Sequence, residues 1–363
     1  MADTVLTSPP ATAPATSKPL RRSLTLRGVL RSYAFRSLVQ AVLTIFAVTT
    51  FTFFLIRLLP SDPVQIYIDK QMQSKDMTYE AALAKASLMF GADLQAPALQ
   101  QYFSYFGNVL RLNLGESITS PGTSVVSQIA AFLPWTLFSV GLGLLVSFVI
   151  GLFTGMLMAY VRNSLLDTIL STVASFLSSV PNYLTAILIV YFFGVQFKWF
   201  SVAKARDAYS PGVQPGFTLA FILDVFSHAA LPVFVYFLST FGGWALTMKN
   251  STLGVLGEEY VTVAHARGLG RLRIITSYVG RNAALPLVTQ LALSIGTVVG
   301  GAIIIEQYFV YPGIGRRLVL AIQQRDYTIM QGIFLVTTTA VVVANLLADL
   351  LYSQLDPRVR SSS

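Results

Sequence analysis

Residues 135–161 read WTLFSVGLGLLVSFVIGLFTGMLMAYV, without one charged side chain. A helix needs about 20 mostly apolar residues to cross the hydrocarbon of a bilayer, and this run exceeds that length. Five comparable runs lie on either side of it: Leu38 to Leu59, Thr168 to Val195, Ala229 to Met248, Leu285 to Ile305 and Ile333 to Leu355. No strand-like alternation about ten residues long recurs, which disfavours a transmembrane β-barrel. The expected fold class is an all-α membrane protein with six transmembrane helices.

Composition agrees. Of 363 residues, 54% are apolar and 11% charged, less than half the charged share of a typical soluble domain. A cytosolic enzyme and a disordered chain are both disfavoured. There is no Cys, so disulfides, thiolate catalysis and Cys-ligated metals are excluded. The two His, His228 and His265, are far apart in sequence, which argues against a His-rich metal site. The net charge of +9 fits membrane topology better than nucleic-acid binding. With the N-terminus inside, segments 1–37, 162–167, 249–284 and 356–363 hold 14 Lys and Arg against five acids, whereas 60–134, 196–228 and 306–332 hold 10 of each. The positive-inside rule then places both termini in the cytoplasm.

Residues 1–30 form a Pro-rich, basic tail that cannot bury a core, and disorder is expected there. The first membrane region covers 31–60. Residues 61–134 should make a helical cap outside the membrane, with helices over 78–90, stopped by Gly91, and over Ala98–Leu112. A docking surface and a lid packed on its own helices are both open readings of that cap. The core covers 135–356, with a short cytoplasmic tail at 357–363.

Catalytic patterns are missing. There is no Walker A sequence, no Gly-x-Ser-x-Gly after a strand, no His-Glu-x-x-His, and no candidate nucleophile that a His within helical reach makes stand out. Asp349 is the one acid clearly inside a span. A proton relay is the functional reading, and a local pair near a helix end is the favoured one. Gly151-x-x-x-Gly155 and Gly296-x-x-x-Gly300 read as close helix packing, as does Gly242-Gly243. Pro181, Pro232 and Pro286 read as residues near span starts, where a missing amide donor costs little.

The inner loop 249–284 is the most informative. It contains Glu258, Glu259, Tyr260, Val261, Thr262, Val263, Ala264, His265, Ala266, Arg267, Gly268, Leu269 and Gly270 in succession. A first helix should end at Gly268, a residue suited to a C-cap, with Glu258 and Glu259 early and Arg267 late, as the helix dipole favours. A second helix leads into Leu285-Pro286. Small Ala264 and Ala266 would let the tip seat in a groove of a soluble partner. Periodicity alone favours an interfacial amphipathic helix instead.

The loop resembles the coupling (EAA) loop of ATP-binding-cassette importer permeases. Further pieces, in order, resemble the dipeptide/oligopeptide/nickel branch and its B-type permease subunit: Leu59-Pro60-Ser61-Asp62-Pro63, Leu114-Gly115-Glu116-Ser117, Arg281-Asn282-Ala283-x-Leu285-Pro286, Glu306-x-x-Phe309-x-Tyr311-Pro312-Gly313-Ile314-Gly315, Arg325-Asp326-Tyr327 with Gln331-Gly332, and Asp356-Pro357-Arg358. The aligned Glu-Ala-Ala positions are here Thr262, Val263 and Ala264, a departure from the general pattern.

The resemblance implies a type I ABC importer permease architecture in a bacterial or archaeal plasma membrane. It implies a homologous second permease, two ABC ATPase subunits that bind ATP and Mg, an extracytoplasmic solute-binding protein and a peptide substrate. This chain would carry no cofactor or catalytic site. Its coupling loop, 250–283, would act through Glu258, Glu259, Tyr260, Ala264, Ala266, Arg267, Gly268 and Leu269. Tyr311, Pro312 and Gly313 are candidate binding-protein contacts, with a structural turn as the favoured reading. Nickel chelates or glutathione are alternative cargoes. An ion-coupled carrier is the alternative of a different class.

Overall fold

In the computed structural model the described residues are 33–58, 63–75, 77–90, 97–120, 122–199, 201–300 and 303–355. The N-terminal tail, most of the Leu59–Pro63 motif, Gly91 and the Asp356-Pro357-Arg358 end lie outside them. Thirteen helices are labelled here. They are α1 (Tyr33–Arg57), α2 (Pro63–Lys75), α3 (Tyr79–Phe90), α4 (Ala98–Leu110), α5 (Val125–Tyr160), α6 (Leu165–Ser179), α7 (Asn182–Ile189), α8 (Leu219–Leu256), α9 (Glu259–Ala266), α10 (Leu285–Gly300), α11 (Ile303–Phe309), α12 (Ile314–Gln323) and α13 (Tyr327–Leu355). The described residues contain no strand, only an isolated bridge between Glu116 and Ser124.

Helix starts follow side-chain capping. The Ser124 hydroxyl accepts from Ser127 N–H at the head of α5, Ser164 caps α6, and Thr218 caps α8. These caps stand well upstream of the apolar runs. Helix α5 therefore begins at Val125 rather than near Trp135, and α8 at Leu219 rather than near Ala229. Pro232 consequently lies inside α8, not near a helix start, and Pro134 lies inside α5. At 36 and 38 residues, these rods are about 54 and 57 Å long, well beyond the ~30 Å of bilayer hydrocarbon.

Pro181 also stands elsewhere than expected. It breaks the run Thr168–Val195 in the middle: α6 ends at Ser179, Val180 is extended (φ −80°, ψ 123°), and α7 leaves at 105° to α6. Proline lacks the N–H that would continue the ladder and disfavours a helical residue before it. The chain continues from α7 through a π-helical segment, Val190–Gln196.

Among the described residues, four helical stretches are long and apolar enough to cross a membrane: Phe35–Leu55, Val125–Tyr160, Leu219–Leu256 and Tyr327–Ala348. The bent pair Leu165–Ser179 and Asn182–Gln196 makes a fifth if its two arms count as one span. Helix α10 has 16 residues, about 24 Å, shorter than its apolar run led us to expect.

The centre is the α5–α8 pair. Side by side stand Gly143 with Tyr236, Ser147 with Thr240, Gly151 with Trp244, and Gly155 with Ala245 and Met248. Both series advance by four residues in the same sense, so the two helices are parallel. A Cβ on Gly151 would lie 2.6 Å from Trp244 Cβ, and one on Gly155 would collide with the Ala245 carbonyl. Helix α6 runs antiparallel to α8: Asp167 meets Lys249, and seven residues further along Ala174 meets Gly242. Gly296 likewise admits Val341 and Ala344 of α13. These glycines serve close packing, as their spacing indicated.

The cap holds α2, α3 and α4. The last two match expectation, except that α4 stops at Leu110, two residues before a positive φ at Leu112. The polar α2 carried no apolar periodicity and was missed. Tyr67 and Ile68 of α2 and Ala82 and Ala86 of α3 share a core with Ile314, Leu318 and Ile333. Tyr102 of α4 hydrogen-bonds Thr50 at 2.7 Å and packs on Phe53 of α1. The inner face of the cap thus closes on the chain's own helices.

Filling the α5–α8 seam should part it. Gly155→Val is expected to lower stability by about 1–3 kcal/mol, the usual cost of overpacking, read as an earlier thermal unfolding midpoint in detergent. An unchanged midpoint would refute this packing.

Candidate functional site

Helix α8 ends at Leu256, and the chain turns at Gly257 into α9. The end of α9 is closed by two hydrogen bonds: Gly268 N–H to the His265 carbonyl (2.9 Å) and Leu269 N–H to the Ala264 carbonyl (3.3 Å). This is a Schellman closure, which needs a left-handed residue at its hinge. Gly268 supplies it with φ +73°. The chain returns through Arg271–Arg273, a π-helical stretch Ile274–Val279 and Gly280–Ala283, then enters α10.

The two arms share a small core of Val261, Ala264, Ile274 and Val279, with Leu269 packed against it. Ala264 is 2% exposed, so its small side chain is used between the arms, not on the outer surface. Glu258, Glu259, Tyr260, Ala266, Arg267 and Gly268 are exposed, and Leu269 is half-buried. Two apolar side chains that the sequence did not single out stand out beside them, Val263 (56% exposed) and Leu272 (68% exposed).

The elbow is fastened to its spans by polar contacts. The Ser251 hydroxyl donates to the Ala283 carbonyl (2.7 Å), and Asn282 Nδ2 donates to the Tyr260 hydroxyl (2.8 Å). Arg271 donates to the Tyr160 carbonyl at the end of α5 (2.9 Å). Nearby, Lys249 of α8 pairs with Asp167 of α6 at 2.6 Å and donates to Ser171.

The opposite ends of α5 and α8 carry three polar knots, two of them built on fully buried acids. Glu306, 1% exposed, accepts from the Thr136 hydroxyl (2.6 Å) and from the N–H groups of Gly315 (2.8 Å) and Arg316 (3.1 Å). It thereby caps α12, where an anion is favoured by the helix dipole. Tyr311 and Gly313 are buried around that carboxylate, and a Cβ on Gly313 would collide with it. The Tyr311-Pro312-Gly313 turn therefore wraps an internal acid and presents little surface.

Asp326 is wholly buried at the head of α13. It accepts from Ser117 Oγ (2.5 Å), Thr119 Oγ1 (2.8 Å), Thr119 N–H (3.1 Å) and Ile329 N–H (3.2 Å). The Leu114–Ser117 and Arg325–Gly332 pieces, remote in sequence, meet here. These hydrogen bonds fix the entry of α13.

In the third knot, Asp224 accepts from Ser210 N–H (2.6 Å) and Oγ (2.9 Å), and His228 Nε2 lies 3.1 Å from Ser210 Oγ. His228 Nδ1 is 2.9 Å from the Asp207 carbonyl; a carbonyl only accepts, which assigns the proton to Nδ1. Ser210 and His228 are thus brought together across 18 positions. Because the hydroxyl also serves Asp224, the group works as a fastener of the 201–218 loop. Asp349 lies on α13, and its side chain is outside the described residues.

Glu306→Ala would orphan two backbone donors and Thr136. The expected loss is about 3 kcal/mol or more, read by thermal unfolding in detergent. Glu306→Gln keeps one acceptor oxygen and should lose less than Glu306→Ala; equal unfolding midpoints in wild type and Glu306→Ala would overturn the assignment.

Comparison with known proteins agrees with this arrangement. Residues 151–361 match the model of the binding-protein-dependent transport system inner membrane component family. The chain is 33% identical over 339 residues to the di/tripeptide transport system permease protein DppB of Pseudomonas aeruginosa, covering 91% of this chain and 98% of that one. It is 30% identical over 344 residues to the dipeptide transport system permease protein DppB of Escherichia coli K12 (90% and 98%). It is 29% identical over 331 residues to the oligopeptide transport system permease protein AppB of Bacillus subtilis (91% and 99%). The matched region takes in the α5–α8 seam from Gly151 onward, the elbow, and the acids of all three polar knots, and the chain belongs to the binding-protein-dependent transport system inner membrane component family.

Proposed function

We propose that this chain is the B-type permease subunit of an ATP-driven importer of di- or oligopeptides. It contributes half of the translocation path. Peptides are favoured over nickel chelates and glutathione because the near-full-length relatives named above are peptide permeases. In this reading α10 and α11 together complete a sixth crossing, both termini face the cytoplasm, and the elbow faces two ATPase subunits that hold ATP and Mg. A homologous permease forms the other half of the path, and a binding protein delivers peptide from outside.

The observation that carries this reading is the locked elbow. A loop can transmit force only if it does not bend, and this one has its own core and a Schellman closure. ATPase closure would displace α9, and with it the covalently attached α8 and α10. The contact surface is then built from Glu259, Tyr260, Val263, Ala266, Arg267 and Leu272, with Ala264 and Gly268 shaping the elbow from within.

The test is reconstitution in proteoliposomes with the partner permease, ATPases and binding protein, scoring uptake and peptide-stimulated ATP hydrolysis. Both should require nucleotide and peptide. Uptake by this chain alone without nucleotide would reject the reading. Val263→Asp should weaken ATPase capture without changing the chain's thermal unfolding. Ala264→Asp should lower the unfolding midpoint, because it buries a charge between the arms. Gly268→Ala should cost about 1 kcal/mol through its left-handed backbone. Equal ATPase capture by Val263→Asp and wild type would remove Val263 from the interface.

A further inference from the structure

The elbow grips a third span that is not joined to it in sequence. The last carbonyls of α5 have no partner within the helix. One of them, on Tyr160, accepts Arg271 Nη2 at 2.9 Å. The same guanidinium sits over the Tyr160 ring, its carbon 4.6 Å from the centroid. A cation here also suits the negative end of the helix dipole.

One turn earlier on the same face of α5 lies Met156. Its sulfur occupies the space that a side chain at Gly280 would need, 2.8 Å from the position of a Cβ. The returning arm, 271–280, therefore holds α5 at two points four residues apart. Elsewhere the α5–α8 contact runs through Gly143, Ser147, Gly151 and Gly155, flanked by larger contacts such as Phe148 edge-on against Trp244. The clamp adds a direct tie from the elbow to the end of α5, beyond the packing of the two rods.

We propose that Arg271 is the positioning residue that carries elbow displacement into α5, so that α5 and α8 move as one body. The clamp rests on the coupling role proposed above for the elbow. Its action requires both the cation and the aromatic face, since guanidinium–π contact and the hydrogen bond come from one side chain.

The experiment compares Arg271→Ala, Arg271→Lys, Tyr160→Leu and Tyr160→Phe in the reconstituted complex. The readout is peptide taken up per ATP hydrolysed. Arg271→Ala should lower this ratio roughly fivefold, within the range for residues that transmit coupling. Arg271→Lys, which keeps a donor and a charge, should restore part of it. Tyr160→Leu should lower the ratio less than Arg271→Ala, because the carbonyl remains, and Tyr160→Phe should match wild type.

A wild-type ratio in Arg271→Ala overturns the clamp while leaving the transport reading intact. So does Tyr160→Phe being as damaging as Arg271→Ala, or a loss in Arg271→Ala that comes from failed ATPase capture. Absence of nucleotide-driven uptake in the wild-type complex removes the transport reading and the clamp with it.

Discussion

The close approach of two parallel helices, α5 and α8, organises the rest of the molecule. Within a bilayer, lipid is as apolar as a leucine side chain, so no hydrophobic force draws helices together. Packing contacts and a few hydrogen bonds must do it. The seam answers with residues that bring little side-chain bulk: Gly143, Ser147, Gly151 and Gly155. Ser147 adds a polar link, donating to the Phe237 carbonyl and accepting from the Thr240 hydroxyl at 2.8 Å. Helix α6 then lies antiparallel in contact with α8, where Gly242 admits the Ala174 backbone. Other elements attach to this three-helix body: α12 and α13 through α5, and the elbow through α8.

The attachments at the two ends of that body differ in kind. At the helix starts, acids are buried with several donors each. Glu306 ties α11 to α5 and α12, and Asp326 ties the 117–119 turn to α13. Breaking such a knot strands a buried charge or several backbone donors, so it is costly. At the other end, the elbow is held by exposed contacts, Arg271 on Tyr160 and Asn282 on Tyr260. Contacts of that kind are individually weak and exchange with water at little cost.

Much of the fold was legible because its governing constraints are local. A long apolar run, a glycine repeat and a cap before a helix are each contained within a few turns. The elbow was readable for the same reason, since Gly268 and its flanking charges specify a stop. What was misread depended on distance. The inward position of Ala264 is set by Ile274 and Val279 on the returning arm, and its small size fits an outer groove equally well on paper. The knots pair residues 170 and 209 positions apart, and Ser210 meets His228 only because the 201–218 loop folds back on α8. Helix α2 failed for a different reason: its polar sequence lacks periodicity, and it is held by tertiary burial of Tyr67 and Ile68. The break at Pro181 was a misjudgement of position: Pro134 and Pro232 sit inside continuous helices, whereas Pro181 follows an extended Val180 that ends α6.

The asymmetry between the ends limits how a push at the elbow can be accommodated. Sliding α8 along its axis would have to part the seam, where Phe148 packs edge-on against Trp244, and would pull on Asp224 and its hold on Ser210. It would also drag α5 through the Arg271 clamp, and α5 is anchored to Glu306 by Thr136. Axial motion is therefore resisted at the knotted end, whichever helix is driven. Lateral motion of the elbow end leaves the knots intact and asks only exposed contacts to adjust. A displacement applied at residues 258–272 is thus best absorbed as a swing of α5, α6 and α8 together about their far ends, a rigid-body hinge motion. Such a swing separates the elbow ends more than the knotted ends, which is the kind of movement that closes a path on one side while opening it on the other.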